Sequence, residues 1–352
     1  MTAELVRRPA DQVSDDVRRR VDRRLATFLD AHQAVVSDPD VEAAHRALRA
    51  FVLTGGKRLR PLLCYWGWRG AGGADSEEII SACTALELCH AGLLIHDDIM
   101  DGSALRRGRP TLHRDLAAGR SDGFGQSAAI LLGVLALAWS EELLAGCGVQ
   151  QYRLRAAQRL FNALRGEVIT GQFLDVLAGE REQMTVRQAL EVVRFKTAKY
   201  TVERPLQIGG ALAGADPALL EVYSGFGVPL GEAFQLRDDV LGMFGDPVAT
   251  GKSALDDLRE GKHTVLIAHT LGHASPRDVA HLKAWHGNAD LTEERAAELR
   301  QIVVRTGALA HVEALIGERV GEALGVLGGA RLDPAAEQAL TALAERLAHR
   351  DR

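Results

Sequence analysis

The sequence predicts an all-α fold on three observations. Apolar residues recur at spacings of three and four over long segments, no β-branched run alternates between hairpin turns, and glycines gather between the helical stretches. The clearest helix opens near Asp75, which with Glu78 three residues on has the spacing of a capping box. Ile79, Cys83, Leu86 and His90 follow at helical spacing, and the pattern runs to about Met100. Further helices are expected over about residues 128–144, 152–178 and 218–240, and over 293–303, 308–327 and 334–349 in the Ala-, Leu-, Glu- and Arg-rich C-terminal third. Turns are expected at the glycine clusters 70–73 and 119–125. Long helices with short connectors make a bundle. No Pro/Ser-rich linker or low-complexity block divides the chain, so residues 1–352 read as one large helical domain.

Composition narrows the function. Hydrophobic residues make up 47% of the 352 and charged residues 25%, ordinary for a soluble globular protein with a large core. A net charge of −5 gives no global reason to bind nucleic acid or an anionic membrane, although a local basic site stays open. Residues 1–13 lack the apolar segment of a secretory signal. The longest apolar stretch, Ala128 to Trp139, is 12 residues, against about 20 needed to span a bilayer. It is expected to be a buried helix, with no transmembrane segment. Cys64, Cys83, Cys89 and Cys147 show no metal-ligand spacing and read as small reduced core residues. A soluble, cytoplasmic protein is expected.

The chemistry concentrates in a few segments. His96-Asp97-Asp98-Ile99-Met100-Asp101 ends an apolar helix, and Arg106-Arg107-Gly108-Arg109-Pro110 follows. Asp97 and Asp101 stand one turn apart on one helical face, with Asp98 beside them. Three mutually repelling carboxylates there make sense if a divalent cation neutralises them, and Mg²⁺ is commonly held by one or two carboxylates with phosphate completing its shell. The arginines would then meet that phosphate. A solvated, charged helix end is the plainer reading of the segment alone. Phe234-Gln235-Leu236-Arg237-Asp238-Asp239 repeats the layout, followed by Gly251-Lys252, Asp256-Asp257 and Gly261-Lys262. If the two helices face each other, five carboxylates and several cations surround one cavity, and Mg²⁺ ions could bridge a polyanionic substrate to both walls.

Gly55-Gly56-Lys57-Arg58-Leu59-Arg60-Pro61 is a basic turn suited to an anion. Gln172 and Asp175 sit at i and i+3 in a long helix, and Lys196-Thr197 follow in the next helical segment. Residues 245–253 imitate a phosphate-binding P-loop, but five residues separate the glycines where four are required, and a helix precedes them rather than a strand. An ATPase is therefore excluded.

Together these segments resemble the trans-isoprenyl diphosphate synthases, the polyprenyl synthetase family. The resemblance runs over about residues 45–270 through seven ordered motifs: GGKRLRP (55–61), LCHAGLLIHDDIMD (88–101), RRGRP (106–110), GQFLD (171–175), FKT (195–197), FQLRDD (234–239) and GK…DD…GK (251–262). It implies a helical bundle around a deep central cavity, usually a homodimer. The implied reaction is condensation of isopentenyl diphosphate with an allylic diphosphate (dimethylallyl, geranyl or farnesyl). The allylic diphosphate loses pyrophosphate, the isopentenyl double bond attacks the allylic cation, and a proton leaves. By resemblance, Asp97 and Asp101 ligate two Mg²⁺ ions and Asp238 a third, with Asp98 and Asp239 in support. Arg106, Lys196 and Lys252 hold the allylic diphosphate, and Lys57, Arg60, His90 and Arg107 hold isopentenyl diphosphate. Thr197, Gln235 and Gln172 are similar to the family's polar groups near the developing cation, and Lys262 closes the second metal loop. His96 is expected to pack rather than ligate.

The second acidic motif departs from the family's usual DDxxD: Gly242 stands where a third carboxylate is common. Activity is expected to survive, since Asp238 and the basic partners remain. The resemblance implies that bulky residues four or five positions before the first Asp floor the tunnel; those positions here are Leu93 and Gly92, with no aromatic floor, so a C20 product, geranylgeranyl diphosphate, is expected. Ala136 and Trp139 are further candidates for setting length. A class I terpene cyclase would not need Lys57, Arg60, His90 and Arg107. A non-catalytic partner subunit of a heteromeric prenyltransferase would lose acidic motifs, and only Gly242 points that way. A His/Asp phosphohydrolase would need more histidine ligands than these segments supply.

Overall fold

The structure is a computed structural model that describes residues 9–32, 35–181, 183–245 and 255–348. It is all-α apart from one two-stranded hairpin among the described residues. Chain contacts divide it into two compact units. The first holds the chain through Gln158 with Ile208–Ala215 and Leu332–Ala339; the second holds Arg159–Gln207, Asp216–Arg331 and the residues from Leu340 on.

In the first unit, α1 (Ala10–Ala31), α2 (Pro39–Leu53), α3 (Leu59–Gly70) and α4 (Glu77–Met100) precede a hairpin, β1 (Leu105–Arg106) and β2 (Arg109–Pro110). The short α5 (Leu112–Leu116) and α6 (Asp122–Ala145) follow. α4 is apolar nearly all round because neighbours cover it, with α1, α3 and α6 packed against it. Its helix begins one residue after Ser76, and Asp75 does not cap it: the Asp75 carboxylate instead accepts from Arg20 of α1 at 2.7 Å. The glycine cluster at 119–125 is only partly a turn. Ser121 caps α6 through the Phe124 amide at 3.2 Å, so Gly123 and Gly125 are helical. A Cβ on Gly125 would fall 2.2 Å from the His113 carbonyl, which explains the small residue there.

α6 also corrects the expectation of a buried helix. Ala129, Leu132, Gly133 and Ala136 are buried, but Ile130, Leu131 and Val134 are exposed, Leu131 to 70%. By length and composition both α4 and α6 could span a bilayer. The most apolar window of α4 is 78% buried in the protein and that of α6 39%. All four cysteines are free and buried, as the sequence suggests.

The chain continues as α7 (Gln151–Gly179), assigned to the second unit from Arg159 on, and α8 (Val186–Val192), capped by a Thr185/Gln188 capping box. α8 passes into an 11-residue π-helix, Val193–Glu203, then α9 (Arg204–Ala213) and α10 (Pro217–Phe244). Pro205, just beyond the π-helix, cannot donate an amide to the carbonyl four residues back, and the Arg204 amide donates five back, to Lys199. Glycines grip the π-helix from both sides. A Cβ on Gly171 of α7 would meet the Lys196 backbone nitrogen at 2.2 Å, and one on Gly231 of α10 would meet Ala198 Cα at 2.4 Å. α10 packs on the helix Ala308–Gly328 over a core that includes Leu236, Val240, Ile267, Leu299, Val312 and Ile316. The C-terminal helices Glu293–Arg305, Ala308–Gly328 and Pro334–Ala348 match the expected segments, and His349 lies outside the described residues.

Candidate active site

The GGKRLRP segment joins α2 to α3, and its central arginine turns inward. Arg58 has a left-handed backbone (φ 49°) and is 4% exposed. Its guanidinium donates to Asp22 of α1 at 2.8 Å, to Glu87 of α4, and to the Val52 carbonyl of α2 at 3.2 Å. The Arg58 and Glu87 side chains are 3% and 5% exposed, so loss of either partner would cost about 3–5 kcal/mol. Neither was legible as a site residue, since one basic residue in a basic run does not say which way it points. A glutamate midway along an apolar helix was the available signal. Lys57 is exposed on the turn and its carbonyl accepts from Arg18 at 3.2 Å.

His90 lies one helical turn after Glu87. Burial, then the charges of Arg60, Arg107, Arg106 and Arg58 in that order, push its pKa well below the ordinary imidazole value. Burial and these four positive charges favour the neutral imidazole, and a group of like charges of this kind suits an anion. Arg107 occupies a left-handed position (φ 54°) with Gly108 (φ 73°) in the tip of the β1–β2 hairpin, the backbone pairing of a type I′ turn. Its Nη1 donates to the Thr54 and Gly55 carbonyls, and the guanidinium lies against Gly56, where a Cβ would come within 2.9 Å of Nη2. Arg109 of the same hairpin donates to the Thr54 hydroxyl at 3.2 Å. A cavity of about 170 Å³ opens here, with Ala50, Phe51, Leu94 and Leu112 among its apolar walls and Arg106, Arg107 and Arg109 at its polar side.

The first acidic motif ends α4. Asp98 is 1% exposed and its Oδ1 accepts from Arg106 Nε at 2.8 Å and from Nη2; Asp97 Oδ2 lies 3.7 Å from the same guanidinium. Asp98 is thus committed to holding Arg106, while Asp97 and Asp101 remain half-buried. Carboxylates at the negative end of a helix dipole oppose that dipole, and a cation relieves both repulsions. Hard oxygen donors one turn apart suit Mg²⁺. Among the described residues no three such ligands converge on one point, so an ion held here would draw its remaining oxygens from phosphate or water. His96 packs over Gly133 of α6 and its Nε2 is 3.1 Å from the Ile130 carbonyl. Gly92 is buried in the same helix crossing: a Cβ would lie 2.8 Å from the Gly133 carbonyl and 3.0 Å from Leu137. Leu93 is half-buried and Ala136 buried; Trp139 packs edge-on against Phe28, His32 and His45.

The second unit brings together a different set. Lys196 Nζ pairs with Asp175 at 2.6 Å. The Thr197 hydroxyl donates to Gln235 Oε1 at 2.8 Å, and Gln235 Nε2 donates to Asp239 at 2.8 Å, which fixes the amide's orientation. Asp239 is 8% exposed and Asp238 half-buried; Gln172 is half-buried on α7. One turn further along the π-helix, Lys199 bridges Glu167 (3.2 Å) and Glu203 (3.0 Å), and Arg204 forks onto Glu167. The sequence reading missed this network, which uses charged residues without a motif. Arg237 forks onto Glu313 at 2.7 Å from each nitrogen and is structural. Lys262 pairs with Glu260 at 3.0 Å, and its carbonyl is held by His286 Nε2 at 3.1 Å. Gly251 and Lys252 lie outside the described residues, as do the side chains of Asp256 and Asp257.

An all-α scaffold with carboxylates at a helix end and guanidiniums beside them suits an anionic substrate. Comparison with known proteins narrows this. The polyprenyl synthetase family model matches residues 41–303, and the chain belongs to that family. It is 35% identical over 266 residues to the geranylfarnesyl diphosphate synthase of Aeropyrum pernix, covering 74% of this chain and 80% of that one. It is 33% identical over 250 residues to the geranylgeranyl diphosphate synthase of Saccharolobus solfataricus, covering 70% and 72%. The geranylgeranyl pyrophosphate synthase of Corynebacterium glutamicum, solved with isoprenyl diphosphate and magnesium, superposes with a TM-score of 0.91 at 38% identity, over 96% of this chain and 99% of that one.

Proposed function

We propose that this chain is a Mg²⁺-dependent trans-prenyltransferase that condenses isopentenyl diphosphate with an allylic diphosphate to give a C20 product. The observation that carries the reading is the set of guanidiniums of Arg60, Arg106 and Arg107 whose charges bear on His90, on the same helix as the half-buried carboxylate of Asp97, with Asp101 at that helix's end. Relatives named geranylgeranyl and geranylfarnesyl diphosphate synthase support a product of about this length.

Asp97, Asp101 and Asp238 would hold three Mg²⁺ ions, with Asp98 and Asp239 in support. Bound Mg²⁺ would supply charge neutralisation of the departing pyrophosphate. The chain's own residues do the rest. Lys57, Arg60, His90 and Arg107 bind isopentenyl diphosphate, and a neutral His90 donates a hydrogen bond without adding to the cluster's self-repulsion. Arg106, Lys196 and Lys252 bind the allylic diphosphate, Arg106 held in place by Asp98. Thr197, Gln235 and Gln172 would be polar groups near the developing allylic cation, Thr197 and Gln235 held to each other by a hydrogen bond. Lys262 closes the second metal loop. Gly242 removes one carboxylate, and Asp238 with Asp239 carries that side alone.

The family match spans segments of both units, which supports one synthase domain. The uncovered apolar residues Ile130, Leu131 and Val134 of α6 support a homodimer in which a second copy covers them. The test is Mg²⁺-dependent incorporation of labelled isopentenyl diphosphate by wild type and Asp97→Ala. Turnover should fall at least about a thousandfold in the variant with unchanged circular dichroism. An active Asp97→Ala defeats the metal assignment.

A further inference from the structure

The GGKRLRP turn carries two residues assigned above to isopentenyl diphosphate, Lys57 and Arg60, and one that faces away from solvent. Arg58 lies between them in the chain. A non-glycine residue persists in the left-handed region only where its surroundings over-determine it. Here three elements do so: Asp22 of α1, the Val52 carbonyl of α2 and Glu87 of α4 all accept from one guanidinium. The partner on α4 is placed one turn before His90, the third residue assigned to the same diphosphate. The turn is held from its other side by Arg107, whose guanidinium grips the Thr54 and Gly55 carbonyls.

We propose that the buried Arg58–Glu87 pair is a positioning device for the isopentenyl diphosphate site: it sets Lys57 on the turn and Arg60 at the start of α3 against His90 on α4. Arg58 touches no substrate; it acts through the residues on either side of it. Misplacing a binding group by about 1 Å lowers rate or affinity steeply. Of the residues assigned to the allylic diphosphate, Arg106 is held separately by Asp98, and Lys196 and Lys252 stand on other segments. Disturbing the pair therefore weakens one substrate and spares the other. A residue that merely stabilised the fold would not discriminate between them.

This inference rests on the synthase reading, and the experiment separates the two. Steady-state kinetics of the full-length protein are measured with isopentenyl diphosphate and farnesyl diphosphate varied in turn, for wild type, Glu87→Gln, Arg58→Lys and Asp22→Asn. Glu87→Gln keeps shape and removes the charge; it should raise KM for isopentenyl diphosphate about tenfold and leave KM for farnesyl diphosphate within about twofold. Arg58→Lys, which keeps a cation beside Glu87, should raise the same KM by less than Glu87→Gln does. Asp22→Asn leaves the buried pair intact and changes only the half-exposed leg, so it decides the matter if the other variants do not fold; it should raise the same KM about threefold. Equal rises in both KM values, or no selective rise in any folded variant, overturn the positioning role while wild-type turnover leaves the synthase standing. A wild type that never consumes isopentenyl diphosphate overturns both.

Discussion

Gly171→Ala on α7 is the sharpest test of how the second unit is built. The added Cβ would sit 2.2 Å from the Lys196 nitrogen and 2.6 Å from both Lys196 Cα and the Phe195 carbonyl carbon. Ordinary non-bonded contacts fall near 3.5–4.0 Å, so the two backbones must separate by roughly 1 Å. The π-helix cannot simply retreat, because Gly231 of α10 holds its other side at a similarly close approach. Overpacking costs about 1–3 kcal/mol, and contact with backbone rather than a flexible side chain puts this case at the upper end. Alanine's helix propensity returns about 1 kcal/mol, leaving a net loss of about 2 kcal/mol. Gly166 lies on the same helix, is exposed, and has nothing within 4 Å of an added Cβ. Gly166→Ala should therefore gain up to about 1 kcal/mol. Urea midpoints of the two variants should move in opposite directions, and turnover of Gly171→Ala should fall about tenfold or more as Lys196 is displaced. Equal stability of Gly171→Ala and wild type would refute the close-packed π-helix.

Two other outcomes follow from named groups. Burial first, then the charge of His263, lowers the His286 pKa from 6.5 to about 4, so the native state refuses a proton that the unfolded state takes up. Its contribution is complete above about pH 6.5 and is lost as pH falls towards 4, about 3 kcal/mol in all. His286→Gln should flatten that decline in urea midpoints measured from pH 7 to 4.5, and an unchanged slope would contradict the assignment. On α6, Leu131→Asp with Val134→Asp should convert a dimer to a monomer in sedimentation equilibrium, both residues being exposed; an unchanged mass would remove that face from the interface.

Much of the fold was legible because helix periodicity is local. The segments at 152–178, 218–240 and 308–327 appear within a few residues of their limits. What escaped depends on tertiary contact. Asp75 had the spacing of a cap, yet Arg20 of α1, far away in the chain, takes its carboxylate. Gly123 and Gly125 looked like a turn, but close approach to α5 makes a helical glycine useful there. The π-helix depends on Pro205 and on flanking glycines of two other helices, which no local pattern combines. In the candidate site, the acidic and basic motifs announced themselves by charge in unlikely places. Sequence could not tell the outward Lys57 from the inward Arg58, nor show that Asp98 is spent on Arg106. Gly92 is a helix-crossing residue as well as a candidate for product length.

The most direct test of the whole account is product analysis. Purified protein is incubated with Mg²⁺, labelled isopentenyl diphosphate and, in turn, dimethylallyl, geranyl and farnesyl diphosphates, and the dephosphorylated products are sized by mass. Elongation from these primers to a dominant C20 alcohol is expected, abolished by a chelator. Absence of elongation by folded protein with Mg²⁺ present would contradict the synthase reading.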